Sequence, residues 1–203
     1  MKPLVIATRN EGKLREIKAL LAGVPCEVKS LLDFPRAPKV EESGLTYEEN
    51  ALLKAEAMVR ALQLPVLADD SGIELDALSG EPGVFSARWS GEGCGDEDNN
   101  RKLMETLADV PLLKRGAKYV CVMVFATPGA KPTVVRADCR GFIPFEPLGD
   151  GGFGYDPHFA LSELGKTMAQ LTLEEKNKIS HRARAIQKLL PLLKSTYLSF
   201  LVK

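Results

Sequence analysis

The chain has 203 residues, 45% hydrophobic and 27% charged, with 27 acidic and 27 basic side chains in balance. That length suits one domain able to take roughly 70% of its unfolded surface out of water, and the neutral balance argues against a general nucleic-acid binder, which carries a basic excess. The cysteines Cys26, Cys94, Cys121 and Cys139 form no C-x-x-C pair and there are only two histidines, which argues against a zinc cage.

Free thiols point to a reducing compartment. No run approaches the about 20 apolar residues of a membrane span. The short N-terminal apolar run gives way at once to polar residues, unlike a secretory signal. A cytoplasmic protein with neither membrane nor nucleic acid as partner is expected.

In chain order, Leu4-Val5-Ile6-Ala7 reads as a short buried strand. A polar loop follows, and then Leu14, Ile17 and Leu21 recur at helical spacing. Residues 33–45, with Pro35, Pro38 and Gly44, read as loop. Thr46-Tyr47-Glu48-Glu49 matches a capping box and opens a second helix, with Ala51, Ala55, Met58 and Leu62 as its buried stripe and Pro65 beyond its end. Val66-Leu67-Ala68 is the next strand, with Asp69-Asp70-Ser71-Gly72 at its end.

Residues 79–95, rich in Gly and Pro, read as loop, followed by a helix around residues 99–107. Residues 119–126 form a continuous apolar strand, and residues 133–139 are its expected hairpin partner. A second capping box, Thr172-Leu173-Glu174-Glu175, opens a helical stretch with the stripe Ile179, Ala183, Ile186 and Leu190, which Pro191 breaks or kinks. The order of elements indicates an α/β domain with a mixed sheet.

Four constellations carry possible chemistry. Thr8-Arg9-Asn10-Glu11-Gly12-Lys13 joins a strand to a helix, where unpaired N–H groups and the helix dipole favour phosphate. It lacks Walker spacing, and the same residues also suit plain capping. Glu41-Glu42 and Asp69-Asp70 supply the hard oxygens that magnesium prefers. Adjacent carboxylates on an extended backbone point different ways, so one can hold metal while the other orients water. Asp-Ser-Gly is equally ordinary turn chemistry.

Gly149-Asp150-Gly151-Gly152-Phe153-Gly154-Tyr155-Asp156-Pro157 offers close backbone approach and two rings for stacking on a base, or else a loop whose aromatics pack inward. Lys176 with Ser180-His181-Arg182 supplies donors for a base carbonyl or phosphate, or a solvated helix face. Lys54 alone reads as a surface lysine.

Taken in order, these segments resemble the inosine/xanthosine triphosphate pyrophosphatase family. The resemblance rests on Thr8-x-Asn10-x-x-Lys13, on Glu41-Glu42 with Gly44-x-Thr46 and Glu49-Asn50-Ala51, and on Ala68-Asp69-Asp70-Ser71-Gly72. It continues through Asp76-Ala77-Leu78, Pro82-Gly83-x-x-Ser86-Ala87-Arg88, Gly152-Phe153-Gly154-Tyr155-Asp156-Pro157 and Ser180-His181-Arg182. The match is collinear over nearly the whole chain. Trp89 stands where tyrosine is more usual, and Ile73-Glu74 is a mild variation.

The resemblance implies one pyrophosphatase domain over residues 1–203: an α/β fold with a long mixed β-sheet flanked by helices, and two lobes with the active-site cleft between them. It implies a homodimer that uses Mg2+ to hydrolyse ITP, dITP or XTP to the monophosphate and pyrophosphate. By the same likeness Asp70 is the proton acceptor and a metal contact, and Glu41 or Glu42 completes the metal site; Asp69 is a further candidate metal ligand or else a supporting carboxylate. Thr8, Arg9, Asn10, Glu11, Gly12, Lys13 and Lys54 hold the phosphates. Ser71, Phe153, Gly154, Tyr155, Asp156, Lys176, His181 and Arg182 hold the nucleoside.

A cation such as Lys176 or Arg182 would favour the 6-oxo acceptor of hypoxanthine and xanthine over adenine's amino donor. The alternatives are a pyrophosphatase for other modified nucleoside triphosphates, and a non-catalytic nucleotide-binding module.

Overall fold

The computed structural model describes residues 3–198. Its strands are β1 (Leu4–Ile6), β2 (Val28–Ser30), β3 (Val66–Leu75), β4 (Gly116–Ala126), β5 (Thr133–Phe142), β6 (Ala160–Leu161) and β7 (Lys166–Thr167). Its α-helices are α1 (Glu11–Leu20), α2 (Tyr47–Leu62), α3 (Asp96–Thr106), α4 (Leu173–Ile179) and α5 (His181–Leu198). The strands form one mixed seven-stranded sheet in the order β2-β1-β3-β4-β5-β6-β7. β1 runs parallel to β2 and β3, whereas β6 is antiparallel to β5 and β7. Residues 127–132 link neighbours β4 and β5 and are too few for a parallel crossover, so this pair is the expected hairpin.

The chain divides into two compact units. One takes the residues up to Asp70, Cys121–Ala137 and the residues from Arg182 onward; the other takes Ser71–Val120 and Asp138–His181. In the first unit, Leu4 and Ile6 of β1 pack with Ile17 of α1, with Leu21 just past its end, and with Ile186, Leu189 and Leu193 from α5. Each such side chain, fully buried, contributes roughly 1.5–3 kcal/mol. The capping box of α2 is realised in both directions: Thr46 accepts from the Glu49 N–H at 3.1 Å, and Glu49 accepts from the Thr46 N–H at 3.0 Å. In the second unit, Ile73, Leu75, Leu103, Ile143, Phe159 and Met168 form the core.

Three expectations change. Asp69-Asp70-Ser71-Gly72 is not a turn at a strand end, because β3 runs on to Leu75. β1 pairs only with Val66 and Leu67 of β3, so beyond them β3 stays a strand with β4 as its neighbour, and this context overrides the turn preference of Asp-Ser-Gly. The helix after Thr172 is two helices, since Ser180 adopts an extended backbone (φ −65°, ψ 158°) between α4 and α5. Pro191 does not break α5, which continues to Leu198. Among the described residues no helix is long and apolar enough to cross a membrane.

Candidate active site

In the first unit the polar loop after β1 is built as a helix cap. Asn10 caps α1 by accepting from the Lys13 N–H at 2.9 Å, and Thr8 Oγ1 accepts from the Asn10 N–H at 3.1 Å. Arg9 reaches the Leu31 carbonyl at 3.3 Å, and Glu11 and Gly12 form the first turn. The side chain of Lys13 then runs to Asp69, with which it forms an ion pair.

The alternation along β3 separates the acidic pair. Asp69 is almost wholly buried and engaged on both oxygens. Lys13 meets Oδ1, while Oδ2 accepts from Arg182 Nε at 3.4 Å and from the Cys121 thiol at 3.1 Å. Burial pushes its pKa up, but Lys13 and Arg182 outweigh burial and hold the carboxyl well below the usual range. Arg182 is itself buried and also paired with Glu16. Burial works against its charge, yet the two carboxylates hold it firmly protonated.

Asp70 has a different environment. Oδ1 receives Lys54 Nζ at 2.8 Å, whereas Oδ2 is buried with no hydrogen-bond partner. Burial pushes the Asp70 pKa up, and Lys54 and Lys13 only partly oppose it. Lys54 Nζ also meets Glu42 Oε1 at 3.0 Å and the Asp69 carbonyl at 2.7 Å. Glu42 therefore shares one cation with Asp70, while Glu41 is exposed to solvent.

Among the described residues no three His, Cys, Asp or Glu side chains gather as a metal cage. Magnesium needs less, because it binds through one or two carboxylates plus substrate phosphates and water. Glu42 and Asp70, with one carboxylate oxygen uncommitted, fit that requirement.

In the second unit Asp156 is the hub. Its Oδ2 accepts from the Phe153 N–H at 2.9 Å and pairs with Lys176, and its Oδ1 accepts from the Tyr119 hydroxyl at 3.3 Å. Lys176 also lies over the Phe153 ring, 5.0 Å from its centroid. His181 stacks on Tyr119 with centroids 4.7 Å apart. Gly152 has φ 74°, and a Cβ there would lie 2.0 Å from Asp156 Oδ2, so glycine is what lets the loop close over the carboxylate. Gly154 is tied by its N–H to Asp96 at 2.7 Å and by its carbonyl to Asn100 at 3.0 Å. Ser71 lies half-buried in β3.

Not every expected contact is presented to a ligand. Tyr155 is a core residue whose hydroxyl donates to the Ser86 carbonyl at 2.7 Å. Phe153 is thus the half-buried ring of this loop. Arg182 is committed to Glu16 and Asp69.

Sequence reasoning missed Glu16, Cys121 and Tyr119. Arg182 meets Glu16 across a separation of 166 residues, Cys121 meets Asp69 across 52, and Tyr119 meets Asp156 across 37. Glu16 did carry a faint signal, as the acidic neighbour of Ile17 in the helix that opens with Lys13.

Residues 4–192 match the Ham1 family. A dITP/XTP pyrophosphatase of Geobacillus kaustophilus is 57% identical over 189 residues, covering 93% of each chain. One of Geobacter sulfurreducens is 53% identical, covering 92% of this chain and 94% of its own. Among solved structures, the Staphylococcus aureus Ham1 protein superposes with a TM-score of 0.84 at 42% identity, covering 96% of this chain and 100% of that one. A match that takes in every residue of both hydrogen-bonded sets, and a sheet shared with solved members, lead to one assignment: the chain belongs to the Ham1 family.

Proposed function

We propose that this chain is a magnesium-dependent pyrophosphatase that hydrolyses ITP, dITP and XTP to the nucleoside monophosphate and pyrophosphate. The single observation that carries the chemistry is Asp70, a buried carboxylate with a raised pKa and one oxygen free of protein partners. A general base works best with a pKa nearer the operating pH than that of an ordinary carboxylate. The dITP/XTP pyrophosphatases to which the chain is similar support the substrate class.

In this reading Asp70 takes a proton from water as the water oxygen bonds to the α-phosphorus. The bond between the α-phosphorus and the bridging oxygen breaks, and pyrophosphate leaves with that oxygen. Magnesium, held by Glu42 and Asp70, supplies charge neutralisation at the phosphates. Asp69 keeps Lys13 in place rather than binding metal, since its oxygens already serve Lys13, Arg182 and Cys121. The N–H groups of Glu11 and Gly12 precede the first intrahelical bond and are the backbone donors we assign to phosphate, beside Thr8, Asn10 and Lys13.

Base recognition falls to Phe153 by stacking and to Lys176 and His181 as donors, with Asp156 holding Lys176 and Arg182 acting through Asp69. A donor set favours a 6-oxo base and meets adenine's amino group donor to donor. A poorly accommodated 2-amino group is the basis we assign for rejecting guanine. A homodimer belongs to the same proposal on the family resemblance alone, and a cytoplasmic location on the free thiols.

The test is a substrate panel with magnesium. ITP, dITP and XTP are expected to yield monophosphate and pyrophosphate well ahead of ATP and GTP. Release of orthophosphate would refute the cleavage position, and preference for a modified pyrimidine triphosphate would transfer the reading to that class.

A further inference from the structure

Lys54 faces two demands that it cannot meet in one position. An ammonium has three N–H donors, and here all three have acceptors: Glu42 Oε1 at 3.0 Å, Asp70 Oδ1 at 2.8 Å and the Asp69 carbonyl at 2.7 Å. The side chain is only 12% exposed. Lys54 therefore has no donor left for a phosphate oxygen. The two carboxylates it bridges are also the two that fit magnesium.

We propose that Lys54 is the resident counter-ion of the Glu42–Asp70 pair, surrendering both carboxylates when metal loads and then turning its freed donors to the triphosphate. The inference rests on the pyrophosphatase reading and adds an order of events to it. Charge makes that order specific. One ammonium on two carboxylates leaves a net charge of −1, and a dication seated on the carboxylates with the displaced ammonium still beside them brings the sum to +1. A triphosphate removes that excess, so metal and nucleotide load together. Asp70 Oδ2, buried and without a partner, offers a first foothold that does not require Lys54 to move. Lys13 is the natural comparison, because it is an equally charged neighbour seated on Asp69 Oδ1, while Arg182 and Cys121 engage the other oxygen.

The experiment measures Mn2+ binding without nucleotide by electron paramagnetic resonance, manganese sharing the preference of magnesium for oxygen ligands. Lys54→Met is expected to bind Mn2+ at least about tenfold more tightly than wild type, and Lys13→Met less than about threefold more tightly. An unchanged or weaker affinity in Lys54→Met, or an equal gain in both variants, would overturn the proposal, the latter by reducing it to a general charge effect.

Should Lys54→Met fail to fold, the wild-type chain decides. Acylation of Lys54 by an amine-reactive ester, quantified by mass spectrometry, is expected to rise as Mn2+ saturates, and a constant rate would overturn the exchange. Wild-type turnover of ITP, assayed alongside, keeps the two ideas apart. Turnover with no exchange removes only the role of Lys54, whereas no turnover removes the pyrophosphatase reading itself.

Discussion

Lys54 and Lys176 each sit on a buried carboxylate, and these two carboxylates are finished to different degrees. Lys176 meets Asp156, where the Phe153 N–H and the Tyr119 hydroxyl supply further donors and both oxygens are in use. Lys54 meets Asp70, where the second oxygen is buried and has no partner. A saturated carboxylate holds a shape, and here it fixes a glycine loop and a lysine against an aromatic ring. An unsaturated one leaves a buried oxygen open to a further donor or cation. In the function proposed above, the contrast separates a unit that recognises from one that reacts.

The largest expected effect within that comparison is on folding. Lys176→Met removes the ammonium from a carboxylate that is 3% exposed, and breaking a buried pair in this way costs about 3–5 kcal/mol. Urea unfolding measures it, and a loss below about 1 kcal/mol would mean the pair behaves as a solvated one. The smaller effect is at the loop. Gly152→Ala places a Cβ against Asp156 in a backbone conformation that favours glycine. A cost of about 1–3 kcal/mol is expected, with KM for ITP rising more than kcat falls. A fall in kcat at unchanged KM would contradict the division between recognition and chemistry.

What was legible in the sequence was local. Both capping boxes, Thr46 with Glu49 and Thr172 with Glu175, are present as reciprocal side-chain and backbone bonds. The apolar stripe of α1 and the continuous run of β4 are buried as their periodicity implies. What was not legible depends on neighbours in space. Asp-Ser-Gly carries turn preference, yet it lies inside β3, beside β4 in the sheet. The stripe from Ile179 to Leu190 runs on in sequence, so nothing in its period marks the break at Ser180. Tyr155 advertises a ring beside glycines, but its hydroxyl finds the Ser86 carbonyl 69 residues away and the ring enters the core. Lys54 looked like a surface residue because its three acceptors lie 12, 15 and 16 residues distant. Glu41 and Glu42 are indistinguishable by type, and only the fold directs one of them to Lys54.

The central claim is that Asp70, kept incomplete by the protein, is the base. Asp70→Asn keeps the size of the side chain and removes its charge, so turnover of ITP with magnesium is compared with nucleotide binding in the same variant. A fall in kcat of about 10²–10⁴-fold is expected, the range of general-base catalysis, while the variant still binds ITP. A kcat within a few fold of wild type would contradict it and remove Asp70 from the chemistry.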